Sequence, residues 1–230
     1  MKIAISGLDL EEGKLKYEDP LFSGLVEKYK PAKQAPYYFE LLLADFPAAD
    51  AIAITKDNIL DLLILDMEKL ENRLTRAEDD EEKAVLKRCL EILENEKPVC
   101  DLTIDENEKA ILTTISPLSF KPTVILEDAS IDANTVFSKT MEKAGMMFFY
   151  TAGKQEVHAW IVEKGTDAVT CAGRIHSDLA RGFIKAELIQ FEDLMKAHSF
   201  QDASSKGLTS LVDKDFPVPE NTILEIRFNV

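Results

Sequence analysis

Glycine is scarce in this chain, and its absence is informative. The 230 residues hold 9 glycines, and none falls between Gly24 and Gly145. Loops that cradle phosphate with backbone N–H groups need glycine for close approach, so that span excludes them. Cysteine is rarer still. Cys89, Cys100 and Cys171 are odd in number, scattered and without a CxxC pair. That pattern argues against a disulfide framework and for reduced core thiols in the cytoplasm. The three histidines, His158, His176 and His198, lack metal-ligand spacing. No apolar run reaches the ~18 residues of a membrane span. The opening MKIAISGLDL has no basic n-region or cleavage site and reads as a buried first strand. Positive charge is in deficit, with 27 Lys+Arg against 42 Asp+Glu and a net −15. Residues 1–145 carry −12 of it and residues 146–230 carry −3. Such a surface repels phosphate backbones at long range. A nucleic-acid contact is therefore expected only at a local basic patch, in the C-terminal part. No catalytic group stands out: Ser177 beside His176 lacks a nucleophile-elbow context. No metal or other cofactor is expected.

The clearest pattern present is helical. Leu63, Met67, Leu70, Leu74 and Ala77 recur at spacings of four and three, which places them on one seam. Val85, Cys89 and Ile92, flanked by Leu86, Leu90 and Leu93, make a second stripe that stops at Lys97-Pro98. Asp80 between them is a candidate N-cap, with Glu81 and Glu82 in the favourable first turn. Residues 58–97 thus read as an antiparallel helical hairpin, either a solvated strut or an arm that docks a protein partner. Strands are expected at Lys2–Ser6, Tyr38–Leu43, Ala51–Ile54, Ala110–Thr114 and Thr123–Leu126, and helices at Pro20–Tyr29 and Thr135–Lys143. Further strands are read at Phe148–Tyr150, Val157–Val162, Phe183–Glu187 and Ile223–Phe228, with a short helix at Phe191–Ala197.

The segment from Gly145 to the end carries FFYTAG, EVHAW, KGT, AGRIHSDLARGFIKAE and RFNV. These motifs resemble the C-terminal TGS domain of the YchF family of Obg-related P-loop NTPases. The hairpin DLLILDMEKLENRLTRAEDDEEKAVLKRCLEILENEKPV and the opening MKIAISGL resemble the same family. The resemblance implies a β-grasp, ubiquitin-like TGS fold at residues 146–230, a module expected to fold alone. It implies a P-loop α/β domain at residues 1–57 and 98–145, with the 58–97 hairpin inserted as a coiled-coil arm. The fold class is therefore α/β plus α+β. TGS domains of related proteins are thought to contact RNA, ribosomes or regulatory ligands, which makes RNA or the ribosome the expected partner.

The family's nucleotide loop is poorly matched. A Walker A loop needs G-x-x-x-x-G-K-[ST], so that backbone N–H groups close on phosphate and a hydroxyl holds Mg²⁺. Here five residues separate Gly7 from Gly13, Leu15 follows Lys14, and Asp9, Glu11 and Glu12 stand where phosphate would sit. Asp45-Phe46-Pro47-Ala48 falls where a DxxG segment is expected and lacks its glycine. In the register of the family's base-reading NxxE motif stand Asp128 and Ile131. Gly7, Gly13, Lys14 and Asp128 are read as a vestigial nucleotide loop, and nucleotide binding is not expected. Length agrees. A βαβ unit takes about 30 residues, whereas 57 residues precede the hairpin and about 48 separate it from Gly145. An NTP-binding protein or weak NTPase is the alternative.

On the C-terminal module the candidate binding residues are His158, Lys164, Arg174, His176, Arg181 and Lys185. Several flank glycines, and a cation beside an approachable backbone suits phosphate or carboxylate. Arg174, Arg181 and Lys185 are the expected RNA contacts. Trp160, Phe183 and Phe191 offer either stacking faces or core, and His176 with Asp178 could equally brace a turn.

Overall fold

The computed structural model describes residues 1–229; Val230, the last residue of the expected C-terminal module, lies outside them. The strands are β1 (Lys2–Ser6), β2 (Gly13–Lys16), β3 (Lys33–Ala35), β4 (Tyr38–Leu43), β5 (Ala51–Thr55), β6 (Thr123–Leu126), β7 (Met146–Ala152), β8 (Glu156–Glu163), β9 (Phe183–Gln190), β10 (Ser210–Val212) and β11 (Thr222–Phe228). The helices are α1 (Pro20–Tyr29), α2 (Ile59–Leu74), α3 (Asp80–Glu94), α4 (Glu106–Ile115), α5 (Ala133–Lys143), α6 (Ala168–Ile175), α7 (Ser177–Arg181), α8 (Phe191–Lys196) and α9 (Phe200–Ser205). The chain divides into two compact units. Unit 1 is Met1–Leu15 with Phe39–Ala144, and unit 2 is Lys16–Tyr38 with the residues from Gly145 on. The mixed α/β character expected from the sequence is present in both.

Unit 1 is built on a sheet of order β2-β4-β1-β5-β6. β4, β1, β5 and β6 run parallel. Every residue of β5 is buried, as a central parallel strand covered on both faces must be. Parallel neighbours normally need a crossover of a dozen or more residues. Between β4 and β5, which flank β1, the chain uses only residues 44–50. The β5–β6 crossover, in contrast, holds the hairpin and α4. The hairpin seam appears where its spacing placed it. Leu63, Leu70, Val85, Leu86, Cys89 and Leu93 are buried in one cluster with Ile52 and Ile54 of the sheet, and Met67, Leu74 and Ala77 pack against it. Asp79, not Asp80, caps α3, its carboxylate accepting from Glu82 N at 2.8 Å.

One expected strand is a helix. Ala110–Thr114 lies within α4, because Asp105 and Glu108 form a reciprocal capping box and Ile111, Leu112 and Ile115 turn toward the cluster. The β-branched run suggested a strand, and the cap with helical packing overrides that propensity. A second feature carried no signal that was read: Asp66 is fully buried within α2. Its carboxylate accepts from Leu118 N at 2.6 Å and Ser119 N at 2.7 Å, tying α2 to the turn before β6.

Unit 2 is a sheet of order β10-β9-β11-β7-β8-β3. β7 and β8 form an antiparallel hairpin, β11 runs parallel to β7 and antiparallel to β9, and β10 is antiparallel to β9. Met147, Phe149, Ala186, Leu188 and Leu224 face one core with Ala168 and Cys171 of α6. Phe148 and Tyr150, at the alternate positions of β7, face the other side.

The segment 16–38 occupies that other side. The sequence reading placed residues 1–57 wholly in the first domain; this part belongs to unit 2 instead. β3 adds to the sheet, parallel to β8. Asp19 N-caps α1 through Leu21 N and Phe22 N, and its second oxygen accepts from the buried Tyr150 hydroxyl at 2.8 Å. Tyr17 stacks on Phe148 at 5.6 Å and Tyr37 meets it edge-on at 5.3 Å. Gly24 lets α1 lie against Phe191, whose ring would stand 2.8 Å from an added Cβ. Burial of Phe22 and Leu25, with the half-buried Tyr17 and Tyr37 against Phe148, explains why the segment packs here.

Candidate functional site

In an open parallel sheet, ligands bind beyond the carboxyl ends of the strands, where connections diverge to opposite sides. In unit 1 that point lies between β1 and β5. Gly7 ends β1 with φ +74°, and an added Cβ would sit 2.1 Å from Thr55 Oγ1 and 2.3 Å from Asn58 Oδ1. The glycine admits the 55–58 turn, in which Thr55 donates to Asn58 Oδ1 at 2.8 Å. The next residues are anchored away, with Asp9 N donating to Ala129 O at 2.8 Å. No helix follows; Gly13 and Lys14 lie in β2, on the edge of the sheet. The N-terminal helix end that gathers phosphate in a strand–loop–helix turn is therefore not formed after β1. A cavity of about 140 Å³ remains, lined by Gly7, Thr55, Lys56, Asp57, Asn58, Glu127 and Ala129. Small-molecule sites run to roughly 300–1,000 Å³.

The other motif positions are also engaged locally. Asp128 accepts from Ser130 N at 2.8 Å and Ser130 Oγ at 2.7 Å, and these bonds, the backbone one first, hold its carboxyl below the usual range. Asp45 accepts from Ala48 N at 3.3 Å. Phe46 is buried in the core. The Lys121 ammonium donates to the carbonyls of Phe46, Pro47 and Ala49 at 2.8, 2.8 and 2.7 Å. That clamp fixes the short β4–β5 connection, and nothing in the local sequence around Lys121 announces it.

In unit 2 the six candidate residues do not form one cluster. Arg174 lies in the last turn of α6 and Arg181 ends α7. His176 caps α7, its Nδ1 accepting from Asp178 N at 3.1 Å, and Arg181 pairs with Asp178 at 2.9 Å. Lys185 bonds Asp213 and alternates with Ala186 and Leu188, so it lies on the sheet face away from α6. Lys164 sits 3.7 Å from Glu220. His158 stacks on Trp160 with centroids 3.6 Å apart, and its burial lowers its pKa. Trp160 donates to Thr151 Oγ1 at 3.1 Å and is partly buried against the core. Phe183 packs there as well. Among the described residues, Arg174 alone of these six makes no ion pair or hydrogen bond through its side chain.

Two features of unit 2 went unread in the sequence. Buried Glu187 accepts from Ser204, Thr209 and Arg227 at 2.5, 2.7 and 2.5 Å. Burial pushes its pKa up, but those bonds outweigh burial and hold it low. A groove of about 410 Å³ runs between the β7–β8 turn, residues 151–156, and an apolar wall of Ile175, Leu179, Leu224, Ile226 and Phe228. Among the described residues no group of three His, Cys, Asp or Glu is arranged to hold a metal ion, and no helix is long and apolar enough to cross a membrane.

With these units in place, comparison with known proteins is specific. Residues 146–229 match the family model YchF-GTPase_C, described as a protein of unknown function (DUF933). The "Ribosome-binding ATPase YchF" of Bacillus subtilis is 27% identical over 237 residues, covering 74% of this chain and 65% of the relative. The protein of the same name from Mycoplasma genitalium is 38% identical over 97 residues, covering 42% and 26%. Residues 146–229 thus match the family's C-terminal model, and the chain as a whole is similar to YchF proteins. It spans between about a quarter and two thirds of the length of these curated relatives. The structure of the Schizosaccharomyces pombe YchF GTPase superimposes with a TM-score of 0.80 at 17% identity, covering 99% of this chain and 97% of that one. At that identity the likeness speaks for the fold.

Proposed function

We propose that this chain is a non-catalytic YchF-family binding protein of the cytoplasm, acting as an adaptor or regulator. Its unit 2 is read as a TGS module, and its unit 1 as a reduced P-loop-like scaffold bearing the helical arm. The strand order β8-β7-β11-β9-β10, with a parallel central pair and α6 on one face, supports the β-grasp reading. Relatives named as ribosome-binding support a ribosomal or RNA-containing partner. Leu60, Ile64 and Leu65 are exposed along α2, which supports a protein contact on the arm.

The observation that carries the non-catalytic reading is the crest of the unit 1 sheet. A nucleoside triphosphate with Mg²⁺ needs a phosphate cradle, a lysine at its mouth and a hydroxyl for the metal. Here Lys14 stands on an edge strand, Gly7 is packed against the 55–58 turn, the Thr55 hydroxyl is spent on Asn58, and the small remaining cavity sets Asp57 and Glu127 against Lys56. These residues do not fit the group. Fluorescent ATP and GTP titrated with Mg²⁺ are expected to show no saturable anisotropy change below about 1 mM, about −4 kcal/mol of binding. A low-micromolar dissociation constant abolished by Lys14→Ala would reverse the reading in favour of an NTP-binding protein or weak NTPase.

A further inference from the structure

The sheet of unit 2 is interrupted on one side of β11. β9 accompanies β11 from Thr222 to Phe228, but β7 pairs with it only at Thr222 and Ile223. Beyond Ile223 that pairing stops, and the groove of about 410 Å³ opens between β11 and the β7–β8 turn. Among the described residues no turn or helix backbone bonds Glu225–Phe228 on that side. An unpaired strand edge presents N–H and C=O groups that template a further strand. The outer edges of this sheet are blunter: β10 is Ser210–Val212 and β3 is Lys33–Ala35, and edges that short resist such pairing.

The side chains around the gap suit a guest strand as well. Leu224 and Ile226 belong to the core cluster on the α6 face, and Phe228, at the next alternate position, is 49% exposed. With Ile175 and Leu179 they form the apolar wall of the groove. Glu225 lies on the opposite face of the strand. Among the described residues its carboxylate makes no hydrogen bond and no ion pair, and the neighbouring Arg227 is engaged by Glu187 at 2.5 Å. Partial desolvation first, and the Glu187 charge opposite it on β9 second, raise its pKa. Of the other charged residues on the groove, Glu156 is answered by Lys33 at 2.8 Å, and Lys154 is exposed on the turn. An unanswered carboxylate beside an apolar wall calls for a cation, and the net charge of −15 attracts basic partners at long range.

We propose that this gap takes up an extended peptide segment of a protein partner, added to β11 as a strand, with apolar side chains over Ile175, Leu179 and Phe228 and a lysine or arginine at Glu225. In strand addition the backbone bonds give affinity and the alternating side chains give selectivity. Leu224–Phe228 offers roughly 15 Å of edge at about 3.3 Å per residue. The inference rests neither on a ribosomal partner nor on the reading of the unit 1 sheet.

The test uses the full chain and a fluorescein-labelled octapeptide of alternating valine and lysine, followed by anisotropy, with the valine–glutamate octapeptide as its counterpart. The lysine peptide is expected to bind saturably below about 100 μM, and the glutamate peptide not to bind. Glu225→Lys should weaken the lysine peptide at least about tenfold, the scale of one lost charge-assisted hydrogen bond, and should admit the glutamate peptide. That gain cannot come from a variant that has failed to fold. Phe228→Ser, at an exposed position, should also weaken the lysine peptide, and thermal unfolding of both variants should match the parent. N-methylation of alternate residues removes the donors from one edge of the peptide. In one phase it should abolish binding, and in the other it should spare it. Equal binding of both methylated peptides, equal lysine-peptide affinity in parent and Glu225→Lys, or no binding of the lysine peptide overturns the inference. Dimerisation seen by sedimentation and lost in Phe228→Ser would give the groove to a second copy of the chain, and would overturn it as well.

Discussion

The two units secure their sheets in opposite ways. Unit 1 joins β4 to β5 by residues 44–50, held down by the three carbonyl bonds of Lys121, and covers the sheet with its own β5–β6 crossover. Unit 2 covers one face with α6 from within its main segment, and the other with a piece of chain more than a hundred residues away, residues 16–38. A sheet whose cover is close in sequence forms with small loop-closure cost, whereas a distant cover adds only a logarithmic entropy term. What decides is the surface each cover buries. The family model matches residues 146–229, but the physical module is larger than that match.

The sharpest way to break this comparison is to remove the distant cover. Residues 145–230 expressed alone expose the Phe148 and Tyr150 face and lose β3 from the sheet edge. They are expected to show no cooperative thermal transition, against the sequence-based expectation that the module folds by itself. Supplying residues 16–38 ahead of Gly145 through a flexible linker should restore a single transition. A cooperative transition in residues 145–230 alone would make the segment an accessory and not part of the core.

Within unit 1 the corresponding weak point is a single carboxylate. Asp66→Ala leaves the buried N–H of Ser119 and the part-buried N–H of Leu118 without their acceptor. Unsatisfied buried groups cost about 1–3 kcal/mol each, so a loss of about 3 kcal/mol is expected in urea unfolding. Because Asp66 ties the hairpin to the start of β6, a loss under about 1 kcal/mol would show that hydrophobic packing alone fixes the crossover.

Much of this architecture was legible in advance, for identifiable reasons. Strands with alternating or continuous apolar patterns, Lys2–Ser6, Tyr38–Leu43 and Thr123–Leu126, appear at the expected bounds. The hairpin seam was fixed by its spacing of three and four. The short strands β2, β3 and β10 were missed, because a few exposed residues on a sheet edge carry no period. Ala110–Thr114 has local β propensity, and the Asp105–Glu108 cap overrides it. The allegiance of residues 16–38 could not be read at all. Tyr17, Phe22 and Tyr37 announce burial but not which sheet will bury them. The same holds for the candidate sites. Charged residues are visible one by one, whereas the pairing of Arg181 with Asp178, or the unanswered Glu225 beside its groove, is a product of the fold.

The smallest expected effect concerns the carboxylate that fastens the distant cover. Asp19 is almost fully buried. Burial raises its pKa, and the bonds from Tyr150, Phe22 and Leu21 only partly oppose that rise. An acid whose folded pKa lies above its unfolded one binds its proton more tightly in the native state. Its contribution to stability is full below the unfolded value near 3.8 and is lost as pH climbs through the folded one. At neutral pH the buried charge therefore costs stability. Asp19→Asn keeps an oxygen for Leu21 N and Phe22 N and an amide for the Tyr150 oxygen, and it does not titrate. The variant should match the parent below about pH 4 and gain on it as pH rises to 7, the difference cancelling the titration of other carboxylates. Urea unfolding at the two pH values measures this. A variant less stable than the parent at pH 7 would mean that the three donors favour the carboxylate more than burial disfavours it, and that the fastening of residues 16–38 depends on the charge.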